Sequence, residues 1–477
     1  MIKRLTIIAL VTCLCYRLQG QELTELGANY NHDPDLIELD LLERSGVRWV
    51  RVTPRFYRYL NGELNPETDE GLQRVIDASN AGYQVIFGWR FDFKQNDENI
   101  PVPGSARERE MFDIASRVMA RLGTSIDIFT LGNEPNLETL TEDLVFQSSH
   151  NGVPLVVFTE RLLTEVFERF YNLRPSIKKP EVYAGSFPAL FENRWQTNEG
   201  VNGLLQFAQQ DDRVTGFALH LHISNFNEVD QSFAHARSII PDKPFIVTEF
   251  SLHRLYRNNI SEALNVNPAG ADFAAKYGHS PGMQLFEWYQ YANNNKIQPV
   301  ELDDLFKTRD WFIPGYLDVY REKFEQNNVV IATYPILQQS APLVFNTGSP
   351  LWFLNPVFMQ VTLARDENDQ LGANPLCAED YLAWAAFRRA VTTSIDLGEE
   401  RLTDSLVFPN PARGKITLRN VEGKYHVTIR DMTGRTVSSA SYEGEAVIDI
   451  SGLAPSTYLL NIQRGKGQEN IKFVVER

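Results

Sequence analysis

Short apolar runs alternate with amphipathic stretches over most of the chain, from Gln21 to about Val391. The apolar runs are bounded by polar turns, which is typical of buried strands. They predict strands at residues 26–31, 48–53, 84–88, 126–132, 181–186, 216–222 and 244–249. Apolar residues at three-and-four spacing between them predict helices, among them 36–45, 70–81, 108–122 and 159–173.

Strands and helices that alternate at this count favour an α/β fold, a (β/α)8 barrel over residues 21–395. A doubly wound parallel sheet is the weaker alternative. We expect the eighth strand within residues 342–363. The length beyond a minimal barrel falls mainly in the aromatic-rich stretch 254–341, which we interpret as a loop insertion on the catalytic face.

The alternation of predicted helices and strands stops at about residues 392–404, which form a polar, acidic segment. Beyond it, short alternating runs predict strands at 415–418, 425–430, 446–450, 458–463 and 472–475. Turn sequences at 432–435 and 452–455 separate them. The pattern predicts a small β-sandwich over residues 404–477.

This C-terminal segment also carries four short motifs in order: Phe-Pro-Asn-Pro at 408–411, Asp-Met-Thr-Gly-Arg at 431–435, Gly-Leu-Ala-Pro-Ser-Thr-Tyr at 452–458 and a basic-apolar end at 471–477. They resemble the sorting domain of the type IX secretion system of Bacteroidetes, with Ser456 where that family usually has glycine. The resemblance implies the type IX machinery as a partner, and release or attachment at the cell surface. A generic accessory β-sandwich is the alternative.

The first twenty residues predict a secretory signal peptide. Lys3 and Arg4 precede an apolar run over residues 5–15, and Gly20 offers a small residue for cleavage. A lipoprotein signal ending at Cys13 is the less favoured alternative. Cleavage near Gly20 leaves Cys377 as the single cysteine, so we expect neither an intramolecular disulfide nor a cysteine-based zinc site.

Composition and charge narrow the choice of partners. The 477 residues are 43% hydrophobic and 22% charged, which excludes a disordered chain and a polytopic membrane protein. There are 46 basic and 61 acidic residues, giving a formal charge of -15, and no long basic run offsets it. Nucleic acid and anionic membranes are therefore poor partners. We expect a monomer without a cofactor or a metal, exported through the periplasm and across the outer membrane.

Candidate chemistry follows from the polar residues at the carboxyl ends of the predicted strands, where barrel enzymes carry their active sites. The fourth strand leads into Asn133-Glu134-Pro135, and the seventh ends in Glu249. Two carboxylates at one barrel mouth suit acid/base and nucleophilic chemistry on a glycosidic bond. A structural alternative is an exposed loop in which Asn133 caps the next helix.

Over about residues 25–392 the chain thereby resembles the clan A glycoside hydrolases. The resemblance implies that Glu249 is the nucleophile of a retaining double displacement and that Glu134 is the general acid and then the general base. It also implies that Asn133 binds the sugar 2-hydroxyl. Arg51 on the second strand resembles an arginine that these enzymes keep near the nucleophile, with a structural salt bridge as the alternative.

His220 and His222 share one face of the sixth strand because side chains alternate along a strand, and Ala218 would occupy the inner layer below them. By the resemblance they contact substrate or the nucleophile. The alternative is a metal-dependent amidohydrolase, but in that family the pair lies on the first strand, which here reads Gly-Ala-Asn-Tyr-Asn at 27–31.

Three tryptophans at predicted strand ends are candidate sugar platforms: Trp89, Trp195 and Trp352. Residues 130–136 and 380–384 also resemble the heparanase and β-glucuronidase branch of the clan, which implies a uronic-acid substrate. The sequence thus predicts a secreted or cell-surface retaining glycoside hydrolase acting on a polysaccharide or oligosaccharide. A non-catalytic glycan-binding barrel and a metal-dependent barrel hydrolase are the alternatives.

Overall fold

Eight parallel strands follow one another in sequence order around a closed barrel. They are β1 (Glu25–Asn29), β2 (Trp49–Val52), β3 (Gln84–Gly88), β4 (Ile128–Thr130), β5 (Glu181–Pro188), β6 (Gly216–His222), β7 (Phe245–Ser251) and β8 (Val329–Pro335). The barrel closes where β8 pairs in parallel with β1, with Glu25 opposite Ile331 and Asn29 opposite Pro335. The (β/α)8 prediction is confirmed, and the doubly wound alternative is wrong.

This computed structural model describes residues 23–339, 341–395, 406–408, 412–419, 423–431, 435–464 and 467–475. The predicted signal peptide, its Cys13 alternative, most of the acidic linker, residues 409–411 of the Phe-Pro-Asn-Pro motif and the turn residues 432–434 lie outside them. The chain divides into two compact units between Ala386 and Phe387. Within the described ranges, none of the helices is long and apolar enough to cross a membrane.

The expected position of the eighth strand, within residues 342–363, is wrong. β8 lies at Val329–Pro335, inside the stretch interpreted as an insertion, and the helix Tyr316–Gln326 leads into it. The additional length between β7 and β8 is shorter than the stretch 254–341, so the strand comes earlier in the chain than expected. It consists of four further helices: His253–Asn258, Pro268–Tyr277, Leu285–Asn295 and Pro299–Lys307.

Several of the remaining helices begin at a polar capping residue. Asp69 accepts a hydrogen bond from the Gly71 amide at the start of the helix Glu70–Asn80, whose buried positions follow the helical repeat. The others are Leu39–Ser45, Phe56–Leu60, Ala106–Leu122, Pro135–Glu138, Pro154–Leu162 with its π-helical and α-helical continuations Leu163–Glu168 and Arg169–Asn172, Asn193–Gln196, Glu199–Gln210, Asn227–Ile239 and Ala378–Ile395.

Short elements complete the first unit. Single 3-10 turns lie at Pro34–Leu36, Lys94–Asn96, Thr141–Leu144 and Trp352–Leu354, and the two-residue strands β9 (Phe358–Met359) and β10 (Gly372–Ala373) pair with each other.

The barrel interior is a separate apolar cluster, with one residue from each of β2 to β8: Trp49, Ile86, Ile128, Tyr183, Ala218, Ile246 and Ile331. The neighbouring residues of the same strands, such as Val50 and Phe87, belong to the larger core that includes the helices. This alternation confirms Ala218 in the inner layer. It also fixes which side chains farther along each strand face the barrel mouth.

The second unit contains two antiparallel sheets, which confirms the predicted β-sandwich. One sheet has the order β11-β12-β15 and the other β14-β13-β16-β17. Two of the strands were not predicted, because Leu406–Phe408 is short and Thr436–Glu443 is mostly polar. The strands are β11 (Leu406–Phe408), β12 (Lys415–Arg419), β13 (Lys424–Asp431), β14 (Thr436–Glu443), β15 (Ala446–Asp449), β16 (Ser456–Arg464) and β17 (Gly467–Val475).

Candidate active site

A cavity of about 260 Å³ lies at the carboxyl ends of the barrel strands. Five of the residues predicted for the site line it: Asn133, Glu134, His222, Glu249 and Trp352. The position agrees with the rule that places the active sites of (β/α)8 barrels at this face.

Glu249 reaches the cavity because β7 carries a bulge. Leu219 of β6 pairs with Val247, but the next residue of β6, His220, pairs with Glu249, so Thr248 is the extra residue. Regular alternation would turn Thr248 and Glu249 to opposite faces. Here Thr248 contacts His220, and Glu249 contacts Arg51, so both side chains face the barrel mouth.

Arg51 of β2 lies fully buried beneath Glu249. Its Nη1 is 2.5 Å from Oε1 of Glu249, and its Nη2 donates a hydrogen bond of 2.6 Å to Oδ1 of Asn133. Nη1 also lies 3.1 Å from Oδ1 of Asn29 and 3.2 Å from Oδ1 of Asn31. The guanidinium thus joins the ends of four strands, and it forms the charge-assisted contact expected near the predicted nucleophile.

The electrostatic surroundings favour an ionised Glu249. Burial by itself would raise its pKa, but the net pKa lies well below the ordinary value, because the charges of His220 and Arg51 and the proximity of His222 lower it. Burial also lowers the pKa of His220, so we assign the lasting positive charge beside Glu249 to Arg51.

Glu134 follows the end of β4 and starts the short helix Pro135–Glu138 in the left-handed region, with φ of 40°. Such a backbone costs a non-glycine residue about 1–3 kcal/mol and persists only where the surroundings hold it. Here the Glu134 amide donates to the Ser186 carbonyl at 3.2 Å. The carboxylate Oε1 lies 3.1 Å from Nδ1 of His220, whose Nε2 lies 2.9 Å from Oγ1 of Thr248.

Asn133 does not cap the following helix. Its Oδ1 accepts from Arg51, and its Nδ2 donates to Oε1 of Glu138 at 2.8 Å. These contacts fix the orientation of the amide and leave its second N–H for another acceptor. Glu138 is buried, and burial raises its pKa well above the ordinary value.

His222 and Trp352 form a further part of the cavity wall, beside Glu249. Nδ1 of His222 is 2.8 Å from Oγ of Ser251, and its Nε2 is 3.4 Å from Oε2 of Glu249. Trp352 meets the His222 ring edge-on at 4.6 Å and stacks on His253 at 3.4 Å, while 47% of its surface stays exposed. Burial lowers the pKa of His253 to about 2, so this stack is uncharged.

The expectation that Trp89 is a sugar platform is wrong. Its ring is fully buried and packs edge-on against Phe56, Tyr59 and Phe87. The reason is alternation along β3: Ile86 faces the barrel interior, so Trp89 points toward the helices, and the next residue, Arg90, lines the cavity.

Trp195 also differs from the expectation. It lies in the helix Asn193–Gln196, is half-buried under the guanidinium of Arg194 and does not line the cavity. The residues behind the resemblance at 380–384 lie elsewhere too. Tyr381 and Trp384 are buried and hydrogen-bond to the backbone of Gly27 and Thr24.

Several cavity residues were missed by the sequence analysis, among them Asn31, His32, Arg90, Gln339 and Asn355. The first three directly follow β1 and β3, so they could have been found by the rule that selected Asn133. Arg90 is held by Asp92, with Nε 2.7 Å from Oδ1, and lies 3.4 Å from Glu138. Gln339 and Asn355 follow β8, whose position was mispredicted.

The titratable groups converge closely. One ligand atom from each of Glu134, His220, His222 and Glu249 lies within 4.8 Å of all the others. An oxygen of one carboxylate thus lies within 4.8 Å of an oxygen of the other, which is shorter than the separation of about 6.5–9.5 Å between the carboxyl groups of inverting glycosidases. The same four side chains are also a ligand set that a divalent cation could use.

Comparison with known proteins gives one family match. Residues 406–476 match the secretion system C-terminal sorting domain. This domain indicates export through type IX secretion to the cell surface or the extracellular space. No curated protein sequence matches the chain.

Among solved structures, the chain is similar to PorZ, a surface component of the type IX system of Porphyromonas gingivalis (21% identity, TM-score 0.15, 17% of this chain and 13% of that one). It is also similar to an FMN-binding β-glucuronidase from Facaelibacterium prausnitzii L2-6 (8%, 0.37, 96% and 57%). A third similar structure is a GH5 cellulase from an Icelandic hot spring isolate, with 13% identity and a TM-score of 0.41 over 77% of this chain and 90% of that one. The chain thus spans little more than half of the second structure and a small part of the first.

Proposed function

We propose that the barrel is a retaining glycoside hydrolase that acts on a polysaccharide or oligosaccharide outside the cell. The observation that carries the proposal is the pair Glu134 and Glu249, whose carboxylate oxygens lie within 4.8 Å at the barrel mouth, with only Glu249 bound to the buried cation Arg51. A retaining mechanism needs two carboxyl groups that lie closer together than those of an inverting enzyme and that have different protonation states.

In the first step, Glu249 attacks the anomeric carbon as the glycosidic carbon–oxygen bond breaks. Glu134 gives its proton to the leaving oxygen, and a covalent glycosyl-enzyme forms. A water molecule then attacks the anomeric carbon: Glu134 takes a proton from it, the new carbon–oxygen bond forms, and the bond between Glu249 and the sugar breaks. Arg51 keeps Glu249 ionised, and Asn133 offers its remaining N–H to the sugar 2-hydroxyl.

His220 positions Glu134. One ring nitrogen faces the carboxylate and the other faces the Thr248 hydroxyl, so the ring's orientation and its tautomer are tied to both partners. Burial lowers the pKa of the His220 ring and so favours its neutral form, and a neutral ring can hold Glu134 by a hydrogen bond without fixing a charge there.

The stereochemistry of the product tests this proposal. The purified protein is incubated with a panel of 4-nitrophenyl glycosides and polysaccharides, and the anomer formed first is read by ¹H NMR before mutarotation. We expect the configuration of the substrate to be retained. An inverted product, or no hydrolysis across a broad panel, would contradict the proposal.

The four converging side chains favour a second candidate, a metal-dependent hydrolase. Two features weigh against it: the permanent charge of Arg51 at 2.5 Å from Glu249 repels a second cation, and both nitrogens of His220 already face other groups. Activity that EDTA abolishes and zinc restores would favour this candidate. We expect activity to survive chelation.

A further inference from the structure

The chain after β8 builds one end of the cavity. Gln339 lines the cavity, and its Nε2 donates a hydrogen bond of 2.5 Å to the carbonyl of Tyr30, directly after β1. The preceding residue, Gln338, is fully buried, and its Oε1 accepts from the amides of Val361 and Thr362 at 2.8 and 3.1 Å. Gln338 and Gln339, which we call the end wall of the cavity, are therefore held on one side by the barrel at Tyr30 and on the other by the loop at residues 361 and 362.

The same segment of chain returns to the cavity at Trp352. The indole contacts His222 after β6 and stacks on His253 after β7, on the side where Glu249 meets His222. Residues 335–339 and 351–357 thus line the side of the cavity that extends from β1, past β8 and β7, to β6. The exposed part of Trp352 lies at the cavity's opening.

The enclosed space is small. Sites for drug-sized ligands are about 300–1,000 Å³, whereas this cavity measures about 260 Å³ and includes both carboxylates in its walls. One pyranose ring fits such a volume. Gln339 lines the cavity on the side of β1 and is tied there to the Tyr30 carbonyl, and we infer that this contact ends the cavity in that direction, where a row of linked sugars would need an open groove.

We propose that the site accepts only the terminal sugar of a chain and removes one monosaccharide at a time. This inference rests on the proposed glycosidase function. Each turnover consumes one water: the anomeric carbon–oxygen bond breaks, the sugar leaves as a hemiacetal, and the shortened chain keeps the bridging oxygen as a hydroxyl. The rest of the oligosaccharide extends past Trp352, whose ring offers the apolar surface on which sugars stack.

The first test is the product profile of the wild-type protein. The sugar is identified with 4-nitrophenyl glycosides, and a pentasaccharide of that sugar is labelled with 2-aminobenzamide at its reducing end. We expect free monosaccharide and the labelled tetrasaccharide as the only products at the earliest times. Unlabelled fragments of two or more sugars at those times would overturn the inference.

The second test blocks the chain end. A 4,6-O-benzylidene group on the non-reducing sugar should lower kcat/KM by about 100-fold, the scale on which a closed pocket rejects a misfit group. Equal rates for blocked and free pentasaccharide would overturn the inference. The two proposals fail separately: internal cleavage contradicts only chain-end action, whereas the absence of hydrolysis on every glycoside contradicts the glycosidase itself.

The third test loosens the end wall. Gln339→Ala removes the contact with Tyr30, and the ratio of blocked to free kcat/KM should rise about fivefold to tenfold, the effect of one lost hydrogen bond. Gln370→Ala, at an exposed glutamine, is the matched control and should keep the wild-type ratio. A wild-type ratio in Gln339→Ala would overturn the assignment of the end wall to this residue.

Discussion

The two carboxylates of the candidate site lie close together but on differently built sides of the barrel mouth. Glu249 belongs to a hydrogen-bonded strand and contacts the buried guanidinium of Arg51. Glu134 follows a strand end on left-handed backbone and contacts the imidazole of His220, a partner that can share a proton. The contact with Arg51 thus stabilises a negative charge on Glu249, whereas the contact with His220 allows Glu134 to gain or lose a proton. The same residue type can therefore serve as nucleophile and as acid/base, and each variant below tests one side of this difference.

Replacing Glu249, the proposed nucleophile, should have the largest effect. Glu249→Ala removes the group that forms the covalent intermediate, so kcat/KM should fall by at least about 10⁴-fold on every substrate, whatever its leaving group. Initial rates on an aryl glycoside and on an oligosaccharide measure this. Glu322→Ala, at an exposed glutamate, serves as control. Near-normal rates in Glu249→Ala would contradict the assignment.

Replacing the acid/base should discriminate between substrates. Glu134→Ala should lower kcat/KM by about 10²–10⁴-fold where the leaving oxygen needs a proton. With an activated aryl glycoside, the glycosyl-enzyme should form readily and then stall, because no base activates water. Rapid-mixing kinetics should show a burst, and azide should release a glycosyl azide of retained configuration. A uniform loss on all substrates without azide rescue would show that Glu134 does not have this role.

Removing the fixed charge should shift the pH profile. Arg51 helps to hold the pKa of Glu249 well below its ordinary value, so Arg51→Gln should raise that pKa. Glu249 must be ionised to attack in the proposed mechanism, so the acid limb of kcat/KM should move to higher pH. Arg58→Gln, at a half-exposed arginine paired with Glu63, is the control. An unmoved acid limb in a folded Arg51→Gln protein would contradict the electrostatic role.

The smallest effect concerns the hydroxyl behind His220. Thr248→Val keeps the volume but removes the contact to Nε2, so kcat/KM for a poor leaving group should fall about tenfold, with a changed basic limb of the pH profile. Thr248→Ser keeps the hydroxyl and should stay near wild type. ¹⁵N NMR of the His220 ring should show a tautomer change in the valine variant alone. Similar behaviour of both variants would point to packing instead.

The alternation of side chains along strands explains which site residues could be predicted from the sequence and which could not. Seven of the eight barrel strands follow from apolar runs, and Asn133, Glu134 and Glu249 follow from their carboxyl ends. The choice of Trp89 over Arg90 failed because position after a strand was considered without asking which face the residue occupies. Had Ile86 been assigned to the interior, Arg90 would have followed by alternation.

Other features could not be read from periodicity. The bulge that turns both Thr248 and Glu249 to the mouth breaks the alternation on which such an argument depends. The contact of Gln339 with the Tyr30 carbonyl joins segments far apart in sequence, and neither residue type indicates it. The four helices after β7 end at Lys307, so the stretch interpreted as an insertion also contained β8, which lies earlier than the interval in which it was expected.

The pairing of β8 with β1 has a consequence for the order in which the molecule can form. Thr24 donates a hydrogen bond of 2.7 Å to the carbonyl of Val329, 305 residues farther along the chain. Contacts of such long sequence separation slow folding, because the chain loses much conformational freedom before they stabilise it. Until Pro335 has been synthesised, the outer edge of β1 has no strand to pair with, and an open edge is a template for association with other chains. A nascent chain therefore depends on protection of β1 until the last barrel strand arrives, and a product truncated before β8 keeps two bare edges.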